Sequence, residues 1–514
     1  MMFKKMVIAV LLYSISYAVP HNVDASLNVD SRKNVIFMVM DGTNSDVITL
    51  ARHYKGKALA LDEILSGGVR TYSLRSAITD SAAAATAMAT GQKTIVDFIG
   101  MVPVEEKDGT FRGRPVANVL EAAKEKGLAT GIVATAPVQH ATPAAFSAHS
   151  NSRHQMKEIG IQQAHQNFDV MLGGGKKYSF AKMEGMLDHV STKNELMDSN
   201  SRQLIGYFSE EDMAYDFDRK KLHPKQPSLA EMTKKALQTL DRNPSGFLLF
   251  IEGSKVDFAG HKNDPVGMIS EVLAFDEAVK VALQFAKEDQ NTLLIAVADH
   301  GNSGLTMGNR QTDQTYPETP SEEFTEPLKK ASLTVAGAIS QLKQNKSNIE
   351  DVLKSYGLDN LTKTEIKRLK KEKDIEKAMV QMMTQRAHLG FTTRGHSGED
   401  VFLYTYGGKG VLHKPQGLIN NTELPGYVIK HLALPPLSEL TKKRFVPAKE
   451  HYINMGFKTE IKVKENKQAI FIAKKSGTFI QYPANQNIRI VNGRKETLNG
   501  ISVYNGKDFW IPIQ

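Results

Sequence analysis

Four nearly continuous apolar runs stand out along the chain, each separated from the next by longer polar or amphipathic segments. They cover residues 34–40, 129–135, 247–251 and 293–298. Apolar runs of this length without alternation are typical of strands buried on both faces of a parallel sheet. Helical patterns cover residues 116–126, 228–240, 266–287 and 421–432. This succession predicts an α/β fold with a central, mostly parallel sheet flanked by helices on both faces.

The pattern changes in two places, which predicts additions to the main domain. Residues 305–390 are lysine-rich and carry helical periodicity, so we expect a largely helical insertion over the sheet. Residues 441–514 contain short apolar runs punctuated by Asn-Gly pairs, which is typical of a small antiparallel β module. We expect the main domain to span residues 19–440.

The first 18 residues have the pattern of a secretory signal peptide. Lys4 and Lys5 precede an apolar run over 6–13, and small residues follow at 16–18. The run is too short to cross a membrane, so we expect a periplasmic or secreted protein without a transmembrane anchor.

Composition narrows the chemistry further. The chain has 514 residues and no cysteine, so any metal must be held by oxygen and nitrogen ligands. The net charge is +9, and the lysine-rich insertion contains the basic run Lys367-Arg368-Leu369-Lys370-Lys371. A basic run of this kind is usually a solvated surface, so we expect no complex with nucleic acid.

Each apolar run leads into acidic or histidine side chains. They are Asp41 after the first run, His140 and Thr142 after the second, Glu252, Asp257 and His261 after the third, and Asp299 and His300 after the fourth. Taken singly, each is as consistent with a turn or a solvated charge pair as with a ligand. Four in succession predict a site at the carboxyl edge of the sheet, where α/β folds bind ligands.

Three further positions add chemistry to this set. Ser81 precedes a run of alanines and is either a helix N-cap or a nucleophile at an anion-binding helix N-terminus. Arg153 carries a planar fork of donors that suits a phosphate. His396 lies in a polar segment before the strand that begins at Val401. Carboxylates and imidazoles together suit zinc and magnesium.

Six short motifs, in this order and context, strongly resemble those of the alkaline phosphatases over about residues 34–432, apart from the insertion. They are Val39-Met40-Asp41-Gly42, Thr79-Asp80-Ser81-Ala82, His140-Ala141-Thr142-Pro143-Ala144, Glu252-Gly253-Ser254 with Asp257 and His261, Ala298-Asp299-His300-Gly301, and Gly395-His396-Ser397-Gly398-Glu399-Asp400. The resemblance implies hydrolysis of phosphate monoesters to alcohol and phosphate at alkaline pH. It also implies that Ser81 becomes a phosphoserine, that Arg153 grips the phosphate, and that the protein is a homodimer.

The resemblance implies two zinc ions and one magnesium ion per chain. Their ligands would be Asp257, His261 and His396 at one zinc, Asp41, Asp299 and His300 at the other, and Asp41, Thr142 and Glu252 at the magnesium.

Two positions vary within the family. Some members carry aspartate at the position of His140, and lysine or histidine is familiar at that of Phe258. We therefore expect altered phosphate affinity and metal preference. The alternatives are a phosphodiesterase or sulfatase of the same superfamily, or an inactive exported protein that binds phosphate or metal. Ser81 with the Thr142–Glu252 pair favours the monoesterase.

Overall fold

A ten-stranded sheet forms the centre of the fold, which confirms the predicted α/β class. Its strands are β1 (Asn34–Met40), β2 (Leu65–Arg70), β3 (Ala129–Pro137), β4 (Val170–Gly174), β5 (Asp188–Val190), β6 (Leu204–Tyr207), β7 (Phe247–Gly253), β8 (Thr292–Val297), β9 (Val401–Gly407) and β10 (Gly417–Asn420). Their order across the sheet is β10-β2-β9-β8-β1-β7-β3-β4-β6-β5. All strands from β8 to β5 are parallel to their neighbours, whereas β9 is antiparallel to both β8 and β2.

This structure is a computed structural model, and it describes residues 32–180, 188–464 and 468–513. The predicted signal peptide over residues 1–18 lies outside the described residues. No helix within the described ranges has the length and apolar character needed to cross a membrane.

The four predicted apolar runs become the four adjacent strands β8, β1, β7 and β3. Strand β1 shows why they are apolar throughout. Its side chains alternate between two separate cores, with Ile36 and Met38 in one and Val35 and Phe37 in the other. Both faces of the strand are therefore buried, and a polar residue on either face would lose its hydration.

Helices cover both faces of this sheet. The α-helices are Ser45–Lys55, Ser81–Thr90, Val119–Glu125, Ala141–Ala145, Met156–Gln166, Lys193–Asp198, Asp216–Leu222, Leu229–Leu240, Lys255–Lys262, Pro265–Asp289, Ser321–Lys329, Val335–Ser340, Ile349–Ser355, Lys363–Lys371, Ile375–Arg386, Leu424–Leu432, Leu437–Arg444 and Ala448–Asn454. Short 3₁₀ helices cover Leu61–Ile64, Lys176–Tyr178 and Asn421–Glu423. Five of the α-helices, from Ser321 to Arg386, form most of the predicted helical insertion.

Two short strand pairs frame the insertion. Gly301–Asn302 pairs with His396–Ser397, and Leu305–Met307 pairs with Leu389–Phe391, both antiparallel. The insertion thus leaves the sheet and returns to it at the same place. A further hairpin joins Met101–Glu105 to Phe111–Pro115.

The C-terminal residues form a five-stranded antiparallel sheet in sequential order, as the Asn-Gly turns predict. Its strands are Lys458–Val463, Ala469–Lys475, Thr478–Pro483, Ile488–Val491 and Arg494–Thr497. A smaller sheet joins Val446–Pro447, Val503–Tyr504 and Phe509–Ile511. The module has its own apolar core, but contacts join all residues from Arg32 onward into one compact unit. The division between residues 440 and 441 therefore stays a prediction.

Candidate active site

The carboxyl edge of the four central strands brings together most of the predicted site residues. Strand β1 ends beside Asp41, β8 leads into Asp299, and β7 carries Glu252. Val39 pairs with Val297 on one side and with Glu252 on the other, so the three strand ends lie level. The three carboxylates are fully buried.

Ser81 begins the helix Ser81–Thr90 and is not its N-cap. The cap is Asp80, whose Oδ1 accepts a hydrogen bond of 2.9 Å from the backbone N–H of Ala83. The N-cap interpretation of Ser81 is therefore wrong, and its hydroxyl is free for another partner. Ser81 Oγ lies 3.1 Å from His300 Nε2, at a helix N-terminus whose outward N–H groups favour an anion.

The first candidate metal group is Asp41, Asp299 and His300. Asp299 Oδ1 accepts 3.0 Å hydrogen bonds from the backbone N–H groups of Gly42 and His300. These bonds fix the carboxylate, while its Oδ2 lies 3.4 Å from His300 Nε2 and has no hydrogen-bond partner in the described chain. Asp41 Oδ1 lies 3.5 Å from the same nitrogen and is equally unpartnered among the described residues.

The second candidate metal group is Asp257, His261 and His396. Asp257 and His261 share one face of the helix Lys255–Lys262, as their spacing predicts, with Nε2 and Oδ2 separated by 3.4 Å. His396 Nε2 lies 3.5 Å from Asp257 Oδ1. The Nδ1 atoms of His261 and His396 lie 2.7 and 2.8 Å from the carbonyls of Arg394 and Thr79. Carbonyl contacts of this kind fix the tautomer and leave Nε2 as a ligand atom.

The third candidate group is Asp41, Glu252 and His140, with Thr142 beside it. Thr142 Oγ1 donates to Asp41 Oδ2 at 3.4 Å, and Ser254 Oγ donates to Glu252 Oε2 at 2.6 Å. The other Glu252 oxygen and His140 Nδ1 are buried without a hydrogen-bond partner in the described ranges. The Nδ1 atom of His140 is therefore available as a nitrogen ligand to a metal held by this group.

Arg153 is held beside the serine by two neighbours. Its Nη1 donates to Asp80 Oδ2 at 3.2 Å, and its Nη2 lies 3.3 Å from His140 Nε2. Phe258 packs its ring edge-to-face on His140, with 5.5 Å between the ring centroids. These contacts position the guanidinium of Arg153 and use only some of its five N–H donors, so the others can bind a phosphate.

Sequence reasoning missed two residues that support the site. Asp80 carries both the helix cap and the Arg153 contact, and its one local signal is an acidic residue before a helix start. Asn302 donates through Nδ2 to Asp257 Oδ1 at 2.5 Å. The two residues are 45 positions apart, so no spacing rule reveals this contact.

The electrostatics fit bound cations. Burial, followed by the neighbouring Asp299, raises the pKa of Asp41 well above its ordinary value. Burial likewise raises the pKa of Glu252 and the pKa of Asp299, each to about 7. Buried carboxylates with unpartnered oxygens need either protons or positive charge nearby, and a divalent cation supplies that charge.

The imidazoles are also suited to act as ligands. Burial and then the Arg153 charge lower the pKa of His140 to about 3, so its ring stays neutral with a free lone pair. Burial lowers the pKa of His300. Burial also lowers the pKa of His396, and repulsion from the neighbouring His300 lowers it further. His261 differs, because its hydrogen bond with Asp257 raises its pKa despite partial burial.

Comparison with known proteins gives consistent results. Residues 32–434 match the family model described as alkaline phosphatase. Alkaline phosphatase 4 of Bacillus subtilis (strain 168) is 37% identical over 432 residues, which cover 78% of this chain and 88% of that protein. The repressible alkaline phosphatase of Saccharomyces cerevisiae is 32% identical over 508 residues, covering 84% of this chain and 87% of the yeast protein.

Solved structures give the same result. The Thermus thermophilus alkaline phosphatase superposes with a TM-score of 0.69 at 27% identity, covering 80% of this chain and 96% of that one. The cold-active enzyme from the psychrophile Shewanella sp. gives a TM-score of 0.67 at 27% identity, covering 78% and 99%.

Proposed function

The chain belongs to the alkaline phosphatase family, and from this premise we propose how its own residues hydrolyse phosphate monoesters. The activity itself follows from the family: the protein is a metal-dependent phosphomonoesterase that produces an alcohol and inorganic phosphate. The phosphodiesterase, sulfatase and inactive-protein alternatives are not favoured. What we propose is the role of each residue, the metal content, the location and the assembly.

The observation that carries the mechanism is the 3.1 Å contact between Ser81 Oγ and His300 Nε2 at a helix N-terminus. Ser81 Oγ loses its proton and attacks the phosphorus, the ester P–O bond breaks, and the leaving oxygen takes up a proton to become the alcohol. Water then attacks the phosphoserine, a new P–O bond forms to the water oxygen, and the P–O bond to Ser81 Oγ breaks. The proton lost by the water returns to Ser81, and inorganic phosphate is released. Arg153 donates to the non-bridging phosphate oxygens throughout, where negative charge is greatest.

The three side-chain groups are proposed to hold two zinc ions and one magnesium ion. Bound there, the metals lower the pKa of the serine hydroxyl and neutralise the charge of the leaving oxygen. Asp257, His261 and His396 would hold one zinc, and Asp41, Asp299 and His300 the other. A solved variant of the TAB5 alkaline phosphatase carries Mg in a site called M3.

The third site of this chain contains the imidazole of His140 in addition to the oxygen donors of Asp41, Thr142 and Glu252. Nitrogen donors suit zinc better than magnesium. We therefore expect magnesium to be held less selectively here than by an all-oxygen set. Metal analysis of the purified protein, before and after dialysis against magnesium with zinc, tests this stoichiometry.

The experiment for the mechanism is hydrolysis of p-nitrophenyl phosphate at alkaline pH by the wild type, Ser81→Ala and the control Ser66→Ala. Ser66 lies in β2, where its hydroxyl contacts the carbonyl of Ile64 at 2.9 Å. We expect Ser81→Ala to lose at least about a thousandfold in kcat/KM and Ser66→Ala to keep its rate. A chelator should abolish the wild-type rate, and added zinc with magnesium should restore it.

Two results would contradict the mechanism. One is a Ser81→Ala variant as fast as the wild type. The other is full activity of the chelated protein. Acid quenching of the wild type with phosphate present, followed by mass spectrometry, should locate the phosphate on Ser81.

We also propose that the protein is exported to the periplasm or secreted, and that it binds no nucleic acid. The support for export is the N-terminal pattern of Lys4 and Lys5 before an apolar run. Expression with and without residues 1–18, followed by fractionation of cells and medium, tests export. Retention of both forms in the cytoplasm would contradict it.

A homodimer is the proposed assembly. Large apolar side chains are exposed close to the start of the Ser81 helix, among them Tyr72, Leu74, Ile78 and Val96. Exposed apolar groups that cluster in this way are typical of interfaces. Light scattering during gel filtration should give the mass of two chains for the wild type and of one for Leu74→Lys. A monomeric wild type would contradict the proposal.

A further inference from the structure

A cavity of about 690 Å³ adjoins the active site and opens to solvent. Its walls come from three parts of the chain that are distant in sequence: residues 209–226, the helix Lys255–Lys262 and the helix Val335–Ser340 of the insertion. Phe258 and His261 line both the cavity and the active site. Its volume lies in the range of pockets that enclose small organic ligands.

The proposed mechanism gives this cavity a place in the reaction. In an in-line displacement, the attacking oxygen and the leaving oxygen lie on opposite sides of the phosphorus. Ser81 stands next to His300, so the leaving oxygen points towards the other ligand group, Asp257, His261 and His396. His261 is the member of that group on the cavity wall, with 44% of its side chain exposed.

We propose that the cavity is the subsite for the alcohol part of the ester, and that it selects bulky uncharged alcohols over alcohols bearing a second phosphate. The proposal rests on the proposed function, because the direction of the leaving group follows from Ser81 as nucleophile. Nucleosides and aryl alcohols are both bulky and uncharged, so both are expected to fit the cavity.

The apolar part of the wall supports the preference for bulk. The half-buried ring of Phe258, with Leu222 and Ala336, offers apolar surface to a base or an aromatic ring. Flat apolar groups of a ligand gain the most binding free energy from such contacts.

The charges on the wall support the exclusion of a second phosphate. Both lysines of the cavity are already engaged: Lys255 Nζ lies 2.5 Å from Asp212, and Lys262 Nζ lies 2.8 Å from Glu376. Glu210 is exposed at the wall, and Glu211 beside it pairs with Lys177. A second phosphate would therefore meet carboxylates, and like charges in one pocket repel.

The first test fills the cavity with Ala336→Phe in the full chain. The control is Ala378→Phe, which places the same ring on the helix Ile375–Arg386, outside the cavity wall. The substrates are methyl phosphate, 1-naphthyl phosphate and adenosine 5′-monophosphate. We expect Ala336→Phe to lower kcat/KM at least about tenfold for the two large esters and less than about twofold for methyl phosphate. The control should change none of the three.

The second test reverses a charge on the wall with Glu210→Lys. Its control is Glu450→Lys, which makes the same change in net charge at an exposed position of the helix Ala448–Asn454 in the C-terminal module. We expect Glu210→Lys to raise kcat/KM for adenosine 3′,5′-bisphosphate, relative to adenosine 5′-monophosphate, at least about threefold. The control should leave that ratio unchanged.

The outcomes separate the two proposals. Equal losses on all three esters with Ala336→Phe, or no loss on any, overturn the subsite while leaving the mechanism in place. Equal effects of Glu210→Lys and Glu450→Lys overturn the charge selection. A wild type that does not hydrolyse methyl phosphate counts against the proposed function itself, and the direction assigned to the leaving group falls with it.

Discussion

Asp80 serves two parts of the active site with the two oxygens of one carboxylate. Oδ1 caps the helix that begins at Ser81, through the backbone N–H of Ala83. Oδ2 accepts from the backbone N–H of Asp97 at 3.1 Å and from Arg153 at 3.2 Å. The position of the nucleophile and the position of the phosphate clamp are therefore linked through a single side chain.

We expect Asp80→Asn to separate these two roles. The amide oxygen of asparagine can still cap the helix, so the melting temperature should fall by less than when the cap is removed. The amide nitrogen then takes the place of the oxygen that accepts from Arg153 and from the backbone N–H of Asp97, and an amide nitrogen cannot accept. The contact with Arg153 is therefore lost, and the inhibition constant for inorganic phosphate should rise about three- to tenfold. Phosphate inhibition of p-nitrophenyl phosphate hydrolysis measures this effect.

The comparison for this prediction is Asp80→Ala, which removes the cap as well. It should show the same weaker phosphate inhibition together with a loss of about 1 kcal/mol in stability. An unchanged inhibition constant in both variants would contradict the role given to the arginine contact.

At the scale of elements, the sequence predicts the strands better than it predicts the site. Burial on both faces makes β1, β3, β7 and β8 predominantly apolar, so the pattern of apolar residues alone finds them. Their adjacency does not follow from periodicity, because β8 comes some 250 residues after β1 in the chain and yet pairs with it. Strand order depends on how helices and insertions pack, which local patterns do not encode.

The position of His396 shows the same limit. It reaches the site because Asn302 pairs with it across the whole helical insertion. No spacing in the sequence connects these two residues, and the resemblance to known motifs was what marked the histidine. Asp80 does have a local signal, but an acidic residue before a helix start predicts a helix cap and not a contact with Arg153.

The turn after β1 leads to a prediction for Gly42. Its φ is +68°, and a Cβ added there would lie 2.6 Å from the Cβ of Asp257. We expect Gly42→Ala to displace Asp257 from its ligand group, lowering zinc affinity as well as stability by about 2 kcal/mol or more. Isothermal titration of the chelated protein with zinc and thermal melting measure the two effects.

Gly56 provides the matched control, because its φ is +67° and nothing lies within 4 Å of an added Cβ. Gly56→Ala should lose about 1 kcal/mol of stability from backbone strain and keep the zinc affinity of the wild type. Equal zinc affinities in the two variants would refute the steric link between Gly42 and Asp257.

At the scale of the whole molecule, the buried carboxylates make stability depend on metal and pH together. Glu252 and Asp299 have pKa values raised to about 7 by burial, well above those of ordinary unfolded carboxyls near 4. Between these values the folded, chelated protein binds more protons than the unfolded chain, so its stability falls as pH rises to about 7. Bound cations remove this cost by pairing with the ionised carboxylates.

We therefore expect chelation to lower the melting temperature by more at pH 8 than at pH 5. Thermal melting at pH 5, 6, 7 and 8, with and without chelator, tests this expectation. Parallel pH profiles for the two forms would contradict it.

The C-terminal module is joined to the main domain beside a buried carboxylate outside the active site, that of Glu121. Glu121, on the helix Val119–Glu125, lies 3.2 Å from His149 Nε2 and 3.9 Å from Arg444 Nη1. Burial opposes ionisation of Glu121, but the interactions with His149 and then Arg444 hold its pKa at about 2. The group therefore stabilises the fold above its unfolded pKa, and this contribution is lost as pH falls towards 2.

Glu121→Gln mimics the protonated state, so its cost should follow the same pH dependence. A difference of about 2.5 between the unfolded and folded pKa values corresponds to about 3 kcal/mol at pH 7 and about 1 kcal/mol at pH 3. Urea unfolding of both proteins at the two pH values measures this change. Glu125→Gln is the control: Glu125 pairs with Lys443 and Arg444 nearer the solvent, so its cost at pH 7 should be smaller. A cost for Glu121→Gln that is the same at both pH values would show that packing, and not charge, gives Glu121 its effect.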